Sequence, residues 1–351
     1  MSQKAGHTLR IVVSLGLAAL FLFLFLRHLD LREVGRSVRD ARASWLVVAF
    51  LTALATIPLR VWRWVRLLKR VGTVRFGAAF SATCIGFAAS TLLPARAGEV
   101  IRPVALARSE RLPLAPLLAS IGLERLLDLV SVVVLVVVYA LGSFVPAGLD
   151  PAMVERLGLF KKSAFLLGAG TFAGLIVFAF LASRPALFDR IVSPFLRVLP
   201  ARFRERVGAF LRSFLEGLGA IRTPAEIAVI AISSLTLWFA CAFQLYATLR
   251  AFDLVYPFPV SFFVLASAVI GLAAPTPGGV GGYHYAVSHA LTDFYAAPQA
   301  PAAALAVVSH AISFVPVTIL GLIFLGAGGS SLGRLASEAE AVEETEASPA
   351  R

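Results

Sequence analysis

The chain has 351 residues, 59% of them hydrophobic and 15% charged, with a mean hydropathy of +0.86. Soluble domains sit nearer 45–50% apolar and about 25% charged, so an ordinary soluble domain is excluded and most of the chain must face lipid or a membrane-embedded core. The net charge of +12 lies between apolar segments, where it sets topology and meets anionic inner-leaflet headgroups, so it is no nucleic-acid signature.

In chain order, Met1 to Leu26 imitates a signal peptide, with Lys4 and Arg10 ahead of an apolar run. No small-residue cleavage site follows, and Leu22-Phe-Leu-Phe-Leu-Arg27 runs straight out of the segment, so a retained first span is expected. The pattern predicts spanning helices over Leu9–Leu26, Trp45–Leu59, Arg125–Phe144, Ala164–Leu181, Ile227–Leu249 and Ala302–Leu325. Phe76–Leu93 and Phe258–Ala274 are shorter, rich in Ala, Ser, Gly and Thr, and each ends in a proline break. At 1.5 Å per residue each gives roughly 26 Å of helix against a core of about 30 Å, so length leaves full crossing and re-entry both open. The two cysteines, Cys84 and Cys241, fall in apolar runs and imply no disulfide framework or thiolate metal site.

Charge orders these segments. Arg60–Arg75 holds six basic and no acidic residues, and Ser183–Glu226 holds eight basic against four acidic, so both are expected in the cytoplasm. Parity then works with six full crossings, two opposed re-entrant hairpins and both termini inside. Arg27–Ser44, expected outside, resists with five basic residues against three acidic, and is expected along the interface. The expected fold is all-α, a single polytopic transmembrane domain over residues 1–326, with 183–226 as a cytoplasmic amphipathic segment and 327–351 as a disordered acidic tail.

Three groups of residues could carry chemistry. The opening of the first break, Pro94-Ala-Arg-Ala-Gly-Glu-Val-Ile-Arg, places Arg96, Glu99 and Arg102 directly after an apolar run. A charge at membrane depth must be paired or bind something charged, and the guanidinium fork suits a phosphate. The plainer alternative is a cytoplasmic loop. The second group is Glu124-Arg125-Leu-Leu-Asp128, read as opening a very apolar helix, where Glu124 and Asp128 share a face. Either the acids sit favourably at a helix N-terminus, or they pair with Arg96 or Arg102 along a headgroup path.

The third group is the break Pro275-Thr-Pro277-Gly278-Gly279-Val-Gly281-Gly-Tyr283-His284. Prolines without N–H groups and four glycines favour non-helical backbone, which survives in hydrocarbon only inside protein or beside a wet cavity. Such broken helices point to transporter binding sites, glycine N–H groups suit an anionic oxygen, and His284 can change charge near neutral pH. His289 and His310 read as histidines hydrogen-bonded between helices. The two breaks resemble each other, as facing half-helices of an inverted repeat would; chance similarity explains this equally well. Neither a G-x-x-x-x-G-K-[ST] loop nor a G-x-S-x-G, H-E-x-x-H or paired-cysteine motif occurs, so no ATPase, enzyme, cofactor or metal is expected.

Leu93-Pro-Ala-Arg-Ala-Gly-Glu-Val with Arg102, then Glu124-Arg-Leu-Leu-Asp128, then Pro275-Thr-Pro-Gly-Gly-Val-Gly together resemble the flippase-like transmembrane family, over roughly Thr8 to Gly326. That family includes the N-terminal membrane domain of bacterial lysylphosphatidylglycerol synthases and many standalone proteins. The resemblance implies movement or binding of a lipid with a charged headgroup, such as an aminoacylated phospholipid or a polyprenyl-phosphate carrier, in a bacterial or archaeal plasma membrane. The aminoacyltransferase domain is missing, so lysyl-lipid synthesis is not expected. His284 stands where many members carry Glu, which favours a phosphate-bearing lipid over a cationic one. The leading expectation is a lipid translocase in which Arg96 and Arg102 grip a phosphate, Glu99, Glu124 and Asp128 position them, and the Pro275–Gly282 break opposes them. The alternatives are a non-transporting lipid-binding partner of a glycosyltransferase or other cell-envelope enzyme and, weakest, an enzyme acting on a lipid phosphate.

Overall fold

The computed structural model describes residues 3–27, 29–93, 97–142, 148–182, 223–328 and 331–337, with single positions at 144, 184, 187 and 194. The helices are α1 (Gln3–Leu26), α2 (Leu31–Asp40), α3 (Ala43–Leu67), α4 (Phe76–Leu92), α5 (Gly98–Glu110), α6 (Leu114–Leu141), α7 (Pro151–Ala182), α8 (Pro224–Ala251), α9 (Val260–Ala273), α10 (Gly282–Tyr295) and α11 (Gln299–Ala327). No strand occurs among the described residues. The chain is an all-α, multi-pass membrane protein.

By length and composition α3, α7, α8 and α11 each qualify as a membrane span, and a fifth arises if α1 and α2, bent by 81°, count as one. Among the described residues these are four or five of the six crossings expected; α6 is as long as these but carries Glu124, Arg125 and Asp128. Two boundaries move in ways that matter. The helix expected to stop at Leu59 continues to Leu67, because Ile57, Val61, Trp64 and Leu68 recur at helical spacing and are all buried. Arg60 and Arg63 are therefore helical and face the protein interior, in the same helix as the span expected to end at Leu59. The helix expected to open at Arg125 begins at Leu114, immediately after Pro113. Glu124 and Asp128 thus sit near its middle, where the favourable dipole of a helix N-terminus has no hold.

Both short apolar segments turn back on themselves. α4 and α5 form an antiparallel hairpin in which Gly86 lies against Gly98, so that a Cβ on Gly98 would overlap the Gly86 carbonyl oxygen. α9 and α10 form a second, with Gly271 against Gly282 in the same way. Their tips meet: Gly278, with φ of 58°, packs on Thr91 near the end of α4.

Each hairpin is flanked by two long helices, α3 and α6 around the first and α8 and α11 around the second. The packing maps onto itself when these halves are exchanged. α3 packs on α4 as α8 on α9, α5 on α6 as α10 on α11, and α4 on α11 as α9 on α6. α3 packs on α11 as α8 on α6, and α3 lies along α8. That central pair is antiparallel, since the Arg42 N–H at the start of α3 donates to the Ala251 carbonyl at the end of α8, 2.8 Å away, while Arg63 reaches Ser234. Antiparallel halves of one design are the geometry of an inverted repeat.

Around this frame, α1 covers the second hairpin: the Ser14 hydroxyl donates to the Pro275 carbonyl, and Gly281 fits against Ala18, Phe21 and Leu22. α2, the basic segment expected along the interface, buries none of its residues and is capped by the Asp30 carboxylate accepting from the Arg32 and Glu33 N–H groups. Residues 332–337 are helical, and Leu335 is buried beside Ile85, Ile101 and Leu325. Residues 338–351 of the acidic tail, and nearly all of the amphipathic segment over 183–222, lie outside the described residues.

Candidate functional site

A cluster of ionised side chains occupies the junction of α3, α5, α6 and α8. Glu124, fully buried on α6, accepts from Arg102 Nη1 on α5 at 2.6 Å and from Arg63 Nη2 on α3 at 3.4 Å. One turn along α6, Asp128 Oδ1 takes Arg63 Nη1 at 2.7 Å and the indole N–H of Trp238 on α8 at 2.9 Å. Asp128 Oδ2 faces Arg125 at 3.3 Å and Arg60 at 3.7 Å. Arg63 Nη1 also donates to Ser234 at 3.1 Å. Arg102 Nε donates to Thr83 at 3.1 Å, and the Arg102 guanidinium lies 3.7 Å from the ring centroid of Trp64. Local sequence explains how each group reaches the cluster. Glu124 and Asp128 are i,i+4 and Arg60 and Arg63 i,i+3, so each pair shares a helix face. Gly86 leaves room for the Arg102 stem, since a Cβ there would meet Arg102 Cβ at 2.7 Å.

The cluster does not balance. Three buried guanidinium groups (Arg60, Arg63 and Arg102) and the half-exposed Arg125 face two carboxylates (Glu124 and Asp128) in these ion pairs, so even the buried groups alone carry one positive charge in excess. Arg63 Nε and Arg102 Nη2 are buried donors without a hydrogen-bond partner among the described residues. Asp128 Oδ2 likewise has no hydrogen-bond partner among these residues, only the ion pairs to Arg125 and Arg60, so the cluster's unpartnered donors outnumber its unpartnered acceptors by one. Buried ionised groups are stable only when paired and hydrogen-bonded, so one further anion would balance the arrangement. A phosphate meets that description.

The structure brings together four of the residues singled out from sequence: Arg102, Glu124, Arg125 and Asp128. It adds Arg60, Arg63, Thr83, Ser234 and Trp238, which sequence reasoning missed. The signal for Arg63 was present, because the buried face through Ile57, Val61, Trp64 and Leu68 runs past the basic residues. Glu99 is in the first turn of α5, one turn nearer the hairpin tip than Arg102. Arg96 lies outside the described residues.

The Pro275–His284 break forms a separate, uncharged group. The Gly278 carbonyl accepts from His310 Nε2 at 2.7 Å, which places a proton on that nitrogen. The Gly281 N–H donates to His284 Nδ1 at 3.2 Å, so His284 caps the start of α10; its ring centroid is 4.7 Å from that of His310. Tyr283 bonds Ser309 at 3.0 Å. Pro277 to Gly279 form a 3₁₀ turn, and Gly278, Gly279 and Gly281 all have positive φ. This group meets α4 at Thr91, two turns from Thr83, or about 12 Å along the axis. The break therefore stands end-on to the charged cluster instead of closing over it.

Residues 11–321 match the family model described as the lysylphosphatidylglycerol synthase TM region. The chain belongs to that family. A curated relative of this lysylphosphatidylglycerol synthase TM region chain is "Glycosyltransferase AglD" of Haloferax volcanii, 30% identical over 359 aligned positions that cover 95% of this chain. The chain spans 56% of that relative's length.

Proposed function

We propose that the protein moves a lipid with a phosphate-bearing headgroup across the membrane without hydrolysing ATP. The observation that carries this reading is the charged cluster, in which three buried guanidinium groups and the half-exposed Arg125 meet two carboxylates and the donors Arg63 Nε and Arg102 Nη2 have no partner among the described residues. The inverted arrangement of two hairpins supports transport over anchoring, since alternating access works by rocking one repeat against the other. On this reading the chain is no enzyme, acts in the plasma membrane of a bacterium or archaeon, and keeps both termini in the cytoplasm.

A second reading is favoured by one finding, the relative whose name is a glycosyltransferase and of which this chain spans little more than half. In that reading the domain binds a lipid phosphate and presents it to a transferase without moving it. Proteoliposomes holding a fluorescent phosphatidylglycerol, quenched from outside with dithionite, separate the two. Transport predicts full quenching, slowed roughly 10- to 150-fold by Arg102→Gln if a charge-assisted contact of about 1.5–3 kcal/mol is lost. Binding of phosphatidylglycerol with quenching no faster than in protein-free vesicles favours the presenting role. Neither binding nor transport by folded protein refutes both.

A further inference from the structure

The helices that the exchange of halves relates, α3, α5 and α6 to α8, α10 and α11, carry a polar cluster in each half. In the first half, Arg63 on α3 pairs with Asp128 on α6, and Arg102 on α5 pairs with Glu124 on α6. In the second, Gln244 on α8 pairs with Ser313 on α11, and Tyr283 on α10 pairs with Ser309 on α11. Glu124 and Asp128 are four residues apart, as are Ser309 and Ser313. The counterpart cluster is uncharged throughout.

Its loosest member is the Gln244 amide. The Gln244 side chain is 5% exposed, and its amide can donate two hydrogen bonds and accept two. It donates to Thr248 at 3.4 Å, the outer limit of hydrogen-bonding distance, and its Oε1 lies 3.5 Å from the Ser313 hydroxyl, whose one proton goes to the Ser309 carbonyl. The Thr248 and Ser313 hydroxyls make their short bonds elsewhere, each to a carbonyl of its own helix at 2.8 Å. A buried amide held this loosely, in a segment that must sit in hydrocarbon, costs free energy unless something else bonds it.

We propose that Gln244, Tyr283, Ser309 and Ser313 form a second binding site, which takes the uncharged hydroxyl groups of a polyol headgroup such as a sugar or glycerol. A sugar hydroxyl donates and accepts at once, which matches an amide flanked by hydroxyls. A phosphate buried there would face no cation. The charged site takes the phosphate and this one the polyol, on corresponding helices of the two inverted halves. The proposal deepens the lipid-handling reading above, and its test is built so that either can fail alone.

Purified protein in a zwitterionic detergent is titrated with monoglucosyl-diacylglycerol, phosphatidic acid or free glucose, with affinity read from the shift in thermal unfolding. Wild type should respond to both lipids. Gln244→Leu, close in size, should weaken the glucolipid at least tenfold and leave phosphatidic acid within twofold; Arg102→Gln should do the reverse. Ser313→Ala repeats the first arm if Gln244→Leu does not fold. A response to free glucose that is lost in Gln244→Leu supports the same site and assigns its ligand as the polyol alone. A glucolipid response that survives both Gln244→Leu and Ser313→Ala, or is missing from wild type, overturns the proposal. A missing phosphatidic acid response alone strikes the charged-site reading and leaves this one standing.

Discussion

Glu124→Gln isolates the charged cluster with a change of one atom. The wild-type carboxylate is fully buried and accepts from two arginines on two helices, Arg102 at 2.6 Å and Arg63 at 3.4 Å. The amide keeps the shape but removes the negative charge, so two buried guanidinium groups lose their shared counter-charge and the surplus of buried positive charge rises from one to two. Removing one partner of a buried pair costs about 3–5 kcal/mol, and two stranded arginines place this case at the upper end. At 2–4 °C per kcal/mol for domains of 150–250 residues, the unfolding midpoint should fall by roughly 10–20 °C. Thermal unfolding of purified protein measures this, with Arg125→Gln as the control: that side chain is 44% exposed and its pair with Asp128 contributes under about 1 kcal/mol. Adding Arg102→Gln to Glu124→Gln should recover part of the loss, with a coupling of about 1–3 kcal/mol. If Glu124→Gln unfolds within about 1 kcal/mol of wild type, at the same midpoint as Arg125→Gln, the cluster is solvated and the argument for an anion site fails.

Gly98→Ala and Gly271→Ala should each prevent their hairpin from closing, since the added Cβ meets backbone, whereas Gly170→Ala on α7 has open space and should be neutral or stabilise by up to about 1 kcal/mol; yield of folded protein and melting midpoint distinguish them. Gly278→Ala, at φ of 58°, should cost about 1–2 kcal/mol by thermal unfolding, and a neutral result would mean that the tip relaxes freely. Trp238→Phe removes the indole donor to Asp128 and should cost about 1.5–3 kcal/mol, the value of a bond to a charged group. Tyr139→Phe breaks the hydroxyl contact with Tyr295 and should cost about 1 kcal/mol without altering lipid binding.

Much of the frame was legible in the residues. Proline and glycine at 94 and 275–282 announced two turns in apolar segments, and the hairpins are there because Gly86, Gly98, Gly271 and Gly282 let helix backbones touch. What misled was charge. Arg60 and Arg63 were set beyond the end of a span and counted toward the cytoplasmic side by a rule that tallies basic residues between spans, but the rule is blind to whether an arginine has a buried carboxylate to meet. The helix face through Ile57, Val61 and Trp64 carried the contrary information. Glu124 and Asp128 were placed at a helix start because the apolar run begins after them. Their real position, mid-helix, depends on partners from α3 and α5 that no local pattern reveals.

The packing symmetry and the chemistry of the two halves diverge, and the divergence is informative. Equivalent helices pack on equivalent helices throughout, so the two halves share one set of steric demands, met by small residues at the hairpin crossings. Nothing in that packing requires Arg63, Arg102, Glu124 and Asp128 in one half and Gln244, Tyr283, Ser309 and Ser313 in the other. A purely structural role would be served as well by apolar side chains of similar volume, which are often more stable than a buried ion pair. Polar groups kept on corresponding helices, charged on one side and neutral on the other, fit a molecule that presents a phosphate and an uncharged polar group to the two halves in turn.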